Sequence, residues 1–482
     1  MFFLNLYIIK GDDVLNCSLA DKIGSNRTVA TLRSFLMSKA FVIIQFVIAC
    51  AAVIIRYDGN NMPIIYGILV LGIIEALILV ICDDIIATLP AFMLISVISI
   101  KCYDSFDDFM QFWYLLIPVV ASLIFHFVVY RRKIVFGKLT VPYLIMSAAV
   151  TLGGVGIISP SDYFNGTSLY YTVGLGFGMA AMYILLSSHL HTSPFYSLRM
   201  RLSYIMMAAG ILCTFMVFFQ YFMYRDIVFS EFRIIYMQWR NNVSTILMLV
   251  MPFSFYISAR KHIYFYLGLF EYAALLLSGS RGGAMFGTIE LALCLIVLIY
   301  TDKPNRAKNL TVITICTVIL CTFSRTILRF FQPTLDRFLA GDSIRSNLIE
   351  RALSDFKSNV IFGRGLGYTG NSDVYEGKSM SINWYHSSPF QIIGSFGIVG
   401  VMAFAYQFFA RCRLLLKNVT HFNLTLFIAF LGLTMMSTVN PGEFCPLPYA
   451  FLVTLYFVVC EKCNAATKRE NGNETEEVYI KL

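Results

Sequence analysis

Residues 263–300 read IYFYLGLFEYAALLLSGSRGGAMFGTIELALCLIVLIY, two apolar runs joined by Ser278-Gly-Ser-Arg-Gly-Gly283. Runs of this kind cross a bilayer only as helices, because lipid leaves no other partner for the backbone N–H and C=O groups. A transmembrane barrel would need alternating apolar and polar residues, and these runs are continuous. The stretch therefore predicts a helical hairpin with Arg281 at its turn.

The same signature recurs on both sides, at 40–55, 63–82, 86–101, 109–130, 141–159, 170–188, 203–224, 243–259, 310–324, 389–409, 423–439 and 447–459. Composition agrees, with 58% apolar and 13% charged residues in a chain of 482, which is outside the range of soluble domains. The expected fold is an all-α polytopic membrane protein of about 12–14 transmembrane helices with one long helical extracytoplasmic loop. The expected organisation is a cytoplasmic N-terminal segment at 1–39 and a single transmembrane domain at 40–459 interrupted by the loop at 325–388. A polar, disordered cytoplasmic tail at 460–482 completes it.

Lysine and arginine mark the cytoplasmic side. With the N-terminus inside, 23 of the 37 fall in cytoplasmic segments, among them Arg131, Arg132, Lys133, Arg260, Lys261, Lys303, Arg306, Lys308, Arg411, Arg413 and Lys417. The short outer loops hold six: Arg56, Lys101, Arg225, Arg233, Arg240 and Arg281. The remaining eight lie in the 325–388 loop. Both termini are thus expected inside, and the net charge of +9 follows from topology rather than from a nucleic-acid partner. Met1–Ile9 has no basic region before its apolar stretch and does not resemble a signal peptide. Most of the twelve cysteines lie in apolar spans, so no disulfide framework is expected. Cys460 and Cys463 have redox or zinc spacing but no second pair, and membrane-edge thiols are the default reading. Gly174, Gly176 and Gly178 sit mid-membrane without a preceding strand, which favours close helix packing over nucleotide binding.

Eight basic residues on an outward loop suit an anionic substrate. Within that loop Ile344, Leu348, Ile349, Ala352, Leu353 and Phe356 recur at helical spacing, predicting an amphipathic helix at the outer membrane surface. Asn359 and the series Gly363-Arg364-Gly365-Leu366-Gly367 then break it. Arg281 sits among small residues that let a ligand approach, and a guanidinium is a fixed fork for phosphate. Capping a helix end or touching lipid phosphate would explain Arg281 equally well. His386 precedes the span at 389–409. It can accept a hydroxyl proton near neutral pH, although a lone histidine is more often structural.

Four motifs in order resemble the O-antigen ligase and O-antigen polymerase superfamily. They are Ser-Gly-Ser-Arg-Gly-Gly at 278–283, Arg345-x-x-Leu-Ile-x-x-Ala-Leu353, Phe362-Gly-Arg-Gly-Leu-Gly367, and His386-Ser-Ser-x-Phe-x-x-x-x-Ser-Phe-Gly-Ile-Val-Gly400. The match covers roughly 242–409. Ile349 and Ser387 depart from the family, which often has Trp and Asn there. The resemblance implies a metal-independent membrane glycosyltransferase of the GT-C type in the bacterial inner membrane, without a cofactor. Its donor and acceptor would be undecaprenyl-diphosphate-linked glycans, and its other partners membrane lipids and a chain-length regulator. By the same resemblance Arg281 and Arg345 bind the diphosphate and His386 activates the acceptor hydroxyl. Arg240, Arg364, Gly363, Gly365, Gly367 and Tyr385 are secondary candidates.

The leading expectation is a polymerase of lipid-linked repeat units on the outer face, and the runner-up is a ligase moving finished glycan to a lipid or protein. A flippase of lipid-linked sugars would instead use ionisable groups along a central path. Glu271 and Glu290 lie about 13–15 Å deep from Arg281 and are candidates for that role, against a reading as helix-to-helix hydrogen bonds. A non-catalytic assembly scaffold would leave the arginines and the histidine dispensable. Asp104, Asp107 and Asp108 would suit Mg or Mn, and a solvated acidic loop is the competing reading.

Overall fold

A computed structural model describes residues 23, 26–55, 61–100, 112, 114, 116–130, 133–154, 172–190, 198–235, 237, 239–339, 343–366, 385–440, 442–444 and 447–469. Asp104, Asp107, Asp108 and Gly367 lie outside them. The described residues form helices and no strand, the all-α membrane architecture expected. The chain divides into two compact units, at 1–133 and 134–482.

The first unit holds α1 (Arg27–Leu36), α2 (Lys39–Ile55), α3 (Met62–Ile81), a 3₁₀ turn (Ile85–Thr88), α4 (Leu89–Ile98) and α5 (Leu116–Val129). The Asn26 side chain caps α1 by accepting from Thr28 and Val29 N–H. At the end of α3 the last carbonyls need partners that the helix cannot supply. The Arg33 Nη2 and Tyr130 hydroxyl donate to the Ile81 and Val80 oxygens at 3.0 and 2.8 Å, and His126 Nδ1 lies 3.0 Å from the Leu79 oxygen.

The second unit contains α6 (Thr140–Gly154), a π turn at Gly174–Gly178, α7 (Met179–His189), α8 (Leu198–Met223), α9 (Arg225–Glu231), α10 (Arg240–Ser258), α11 (Ile263–Leu277) and α12 (Arg281–Thr301). There follow α13 (Arg306–Thr322), α14 (Ser324–Leu339), α15 (Ser343–Ser358), α16 (Ser388–Leu416), α17 (His421–Ser437) and α18 (Leu447–Arg469). Helix α10 is apolar on every side, as a fully enclosed helix must be. It is buried almost throughout from Val243 to Ser258, with α8, α11, α12 and α17 around it. In the π turn the Gly176 carbonyl accepts from Ser147 Oγ at 2.7 Å, which is the close helix packing expected of the glycines.

Within the described residues, each of the fourteen apolar segments contains helix. Met62–Ile81, Leu198–Met223, Arg281–Thr301 and Ser388–Leu416 are each long and apolar enough to cross a membrane alone. Two bent pairs, α1 with α2 (56°) and α13 with α14 (76°), raise the number to six if each is one span. Several shorter apolar helices accompany them. The chain is a multi-pass membrane protein.

Glu271 and Glu290 are wholly buried, and each fills a space that a glycine leaves open. A Cβ at Gly432 on α17 would stand 2.7 Å from Glu290 Oε1, and one at Gly210 on α8 would collide with Glu271. Each carboxyl thus packs against a glycine of a neighbouring helix.

Helix α16 is broken at Gly397, where φ is 59° and ψ −153°, a region essentially confined to glycine. The break frees two carbonyls and two N–H groups, and residues 360–365 bond to all four. Arg364 and Gly365 N–H donate to the Gly394 and Ser395 oxygens, both at 2.8 Å, while Ile398 and Val399 N–H donate to the Val360 and Ile361 oxygens at 2.9 and 3.2 Å. Irregular backbone at membrane depth survives only when satisfied in this way. The approach is so close that a Cβ at Gly397 would fall 2.5 Å from the Ile361 oxygen. Gly397→Ala is therefore expected to destabilise the purified protein by about 3 kcal/mol or more in thermal unfolding. Val401→Ala, at an exposed position of the same helix, should stay within about 0.5 kcal/mol.

Candidate active site

Three candidate arginines each open a helix: Arg240 is the first residue of α10, Arg281 the first of α12, and Arg345 the third of α15. A helix N-terminus carries about half a positive charge and favours anions over cations. None of these first turns contains an acidic residue. Three guanidinium-bearing residues at positive helix ends are unfavourable for folding alone and suited to holding an anion.

The Ser278–Gly283 turn locks two of those ends together. Ser280 accepts from Gly283 N–H at 3.1 Å as the N-cap of α12 and donates to Asn241 Oδ1 on α10 at 2.9 Å. Ser278 Oγ and Ser244 Oγ are 2.9 Å apart. A Cβ at Gly283 would collide with Ser244, and one at Gly282 would stand 2.7 Å from Val439 Cγ2. The small residues of the motif thus bring α10, α12 and the end of α17 into contact. Half-buried Arg281 extends over this turn, and its Nη1 donates to the Arg337 carbonyl in the last turn of α14 at 2.6 Å. That oxygen lies at the negative end of a helix dipole.

His386 follows a tightly held residue. Tyr385 is buried, donates its backbone N–H to Gln391 Oε1 at 3.0 Å, and donates its hydroxyl to Asp355 Oδ2 on α15 at 2.6 Å. Gln391 Nε2 in turn donates to Ser395 Oγ at 2.9 Å, beside the break in α16. Asp355 also pairs with Arg351 at 3.7 Å. His386 itself has φ of 52°, a left-handed conformation uncommon outside glycine and concentrated at functional sites. It is partly exposed.

The structure therefore joins Arg281 and Arg240 through the serine turn, and Tyr385, next to His386, with the helix that carries Arg345. Arg364 and Gly365 give their main-chain N–H groups to the break, and Gly363 lets the backbone come close, since a Cβ there would fall 2.5 Å from the Ser395 carbonyl carbon. Part of the amphipathic stripe of α15 faces protein: Leu348 and Ala352 are buried, with Asp355 beside them, while Leu353 is exposed, and the helix packs on α16. Asn241, Ser244, Asp355 and Gln391 were not singled out from the sequence. Cys460 sits in a buried cluster, accepting from Asn464 Nδ2 at 3.3 Å with its Sγ 3.5 Å from Asn423 Oδ1. Among the described residues no group of three metal-ligating side chains occurs.

Removing the phenol of Tyr385 leaves a buried carboxylate short of a donor. Tyr385→Phe should lower thermal stability by about 1–3 kcal/mol. Asp355→Asn, which keeps an acceptor for the phenol, should cost less in the same measurement.

The O-antigen ligase family matches this chain over residues 263–405. Over that segment, less than a third of its length, the chain is similar to the O-antigen ligase and polymerase superfamily. The segment encloses Arg281, Arg345, Tyr385, His386 and the broken helix at Gly397, and leaves Arg240 just outside. No curated protein and no solved structure matches the chain.

Proposed function

We propose that the protein transfers glycan from an undecaprenyl-diphosphate carrier to an acceptor hydroxyl at the outer face of the bacterial inner membrane. The observation that carries this reading is Arg281, which opens α12 inside an O-antigen ligase domain and lays its guanidinium on the Arg337 carbonyl oxygen. A phosphate oxygen of the donor would replace that carbonyl. Arg345 and Arg240, at two further helix ends, supply additional positive charge. As the bond between the anomeric carbon and the diphosphate oxygen lengthens, negative charge grows on the leaving diphosphate, and fixed guanidinium groups stabilise it. His386 takes the proton of the acceptor hydroxyl as that oxygen bonds to the anomeric carbon.

Polymerisation of repeat units is the preferred form of the reaction. The family's description as O-antigen ligase supports a second form, in which the acceptor is a lipid or a protein. Both use the same donor site. Because arginine carries the charge, transfer by purified protein in proteoliposomes supplied with lipid-linked oligosaccharide should persist in excess EDTA. Activity abolished by EDTA and restored by Mg or Mn would move the chemistry to Asp104, Asp107 and Asp108.

A further inference from the structure

Helix α14 presents a second feature, independent of the proposed chemistry. After α13 the chain turns by 76° into α14, so if α13 crosses the membrane, α14 runs along its surface. At 100° per residue Ile327, Leu328, Phe331 and Leu335 share one side of the helix, and Arg325, Arg329, Gln332 and Asp336 a second sector centred about 120° round from it. Much of the apolar side is open: Leu328 is 53% and Leu335 38% exposed, as is Leu339 at the helix end, while Ile327 and Phe331 are half-buried. Below it the apolar residues of α13, such as Val318 and Leu320, are equally open, so the uncovered face continues onto a spanning helix.

Helix α9 extends the surface. It has no buried residue, and Phe229 is 79% exposed. It is joined to α14 where the Phe232 and Phe330 rings meet at 5.5 Å, Arg329 lies over Phe232, and Ile234 N–H donates to the Phe330 oxygen at 3.3 Å.

We propose that α14, with α9, lies flat in the headgroup layer of an anionic phospholipid leaflet. Leu328, Leu335 and Phe229 enter the acyl region, and Arg225, Arg325 and Arg329 meet lipid phosphates. The occupant follows from the right-angled turn, from continuity with the lipid-facing side of α13, and from arginines on the polar side. Basic amphipathic helices bind at this depth through buried apolar area and attraction to anionic lipid.

Tryptophan fluorescence tests this in the full-length protein. Leu335→Trp and Gln332→Trp are placed in phosphatidylcholine–phosphatidylglycerol vesicles, with the parent protein as blank for its three tryptophans. The emission added at 335 should be mostly lost with lipids brominated near the top of the acyl chain and insensitive to aqueous iodide. The emission added at 332 should show the reverse. Quenching at 335 by iodide, which means a water-facing helix, would overturn the proposal. So would quenching by neither agent, which means a second protein surface covers the face. Bromine carried only on phosphatidylglycerol should quench position 335 more than the same amount carried on phosphatidylcholine. That difference should vanish in Arg325→Gln/Arg329→Gln, and its absence in the parent would remove the anionic headgroup from the account. Leu328→Trp gives the same reading if Leu335→Trp does not fold.

Discussion

Arg281→Ala and Arg345→Ala are each expected to reduce glycan transfer by about 10²–10³-fold, the loss of roughly 3–4 kcal/mol that follows removal of one preorganised contact to developing charge. The diphosphate leaves as an anion, so its arginine contacts strengthen along the reaction and their removal falls on the rate. Lysine at either position should recover only part of the activity, because an ammonium restores the charge without the planar fork that binds two oxygens. Arg281 offers a further check. Its present acceptor is a backbone carbonyl of α14, so Arg281→Ala should also loosen the end of that helix, measurable as faster amide exchange around Arg337. Transfer assayed in proteoliposomes at matched protein levels decides the matter. Near-normal rates in both alanine variants would remove these residues from the mechanism.

The second large effect is expected at His386. His386→Ala should keep donor binding and protein abundance while transfer falls by about 10²-fold or more, the usual scale for loss of a general base. An imidazole that only anchors the loop by a hydrogen bond would be replaced well by an amide. His386→Gln therefore separates the two roles: a base predicts a variant as inactive as alanine, and an anchor predicts an active one with an unchanged pH–rate profile. The held conformation of Tyr385 makes the comparison clean. Its two hydrogen bonds go to Gln391 and Asp355 and survive either substitution.

The helices were readable from residue type alone, since an apolar run of spanning length has no stable alternative in lipid. The turn at Ser278–Gly283 was readable for the same reason, and so was Arg281 at its centre. What escaped is what depends on pairing between distant segments. The break at Gly397 looks in sequence like one more small residue in an apolar span. Its four hydrogen bonds go to residues 360–365, thirty or more positions away, and nothing local announces them. Periodicity likewise locates an apolar stripe without saying what covers it. In the stripe at 344–356 Leu348 and Ala352 are covered by protein, whereas in the stripe on α14 Leu328 and Leu335 are open. Asn241 and Ser244 belong to the same group: a polar residue at the mouth of a buried helix acquires meaning only once Ser278 and Ser280 are seen against it.

The most direct test follows the carrier lipid. In proteoliposomes containing purified protein and labelled undecaprenyl-diphosphate oligosaccharide, released undecaprenyl diphosphate is measured alongside new glycosidic bonds. The account predicts one carrier released for every bond formed, with both falling together in Arg281→Ala. Donor that reaches the other leaflet with its diphosphate linkage intact and no new bond formed would contradict it, and would make the protein a transporter of the lipid it is proposed to consume.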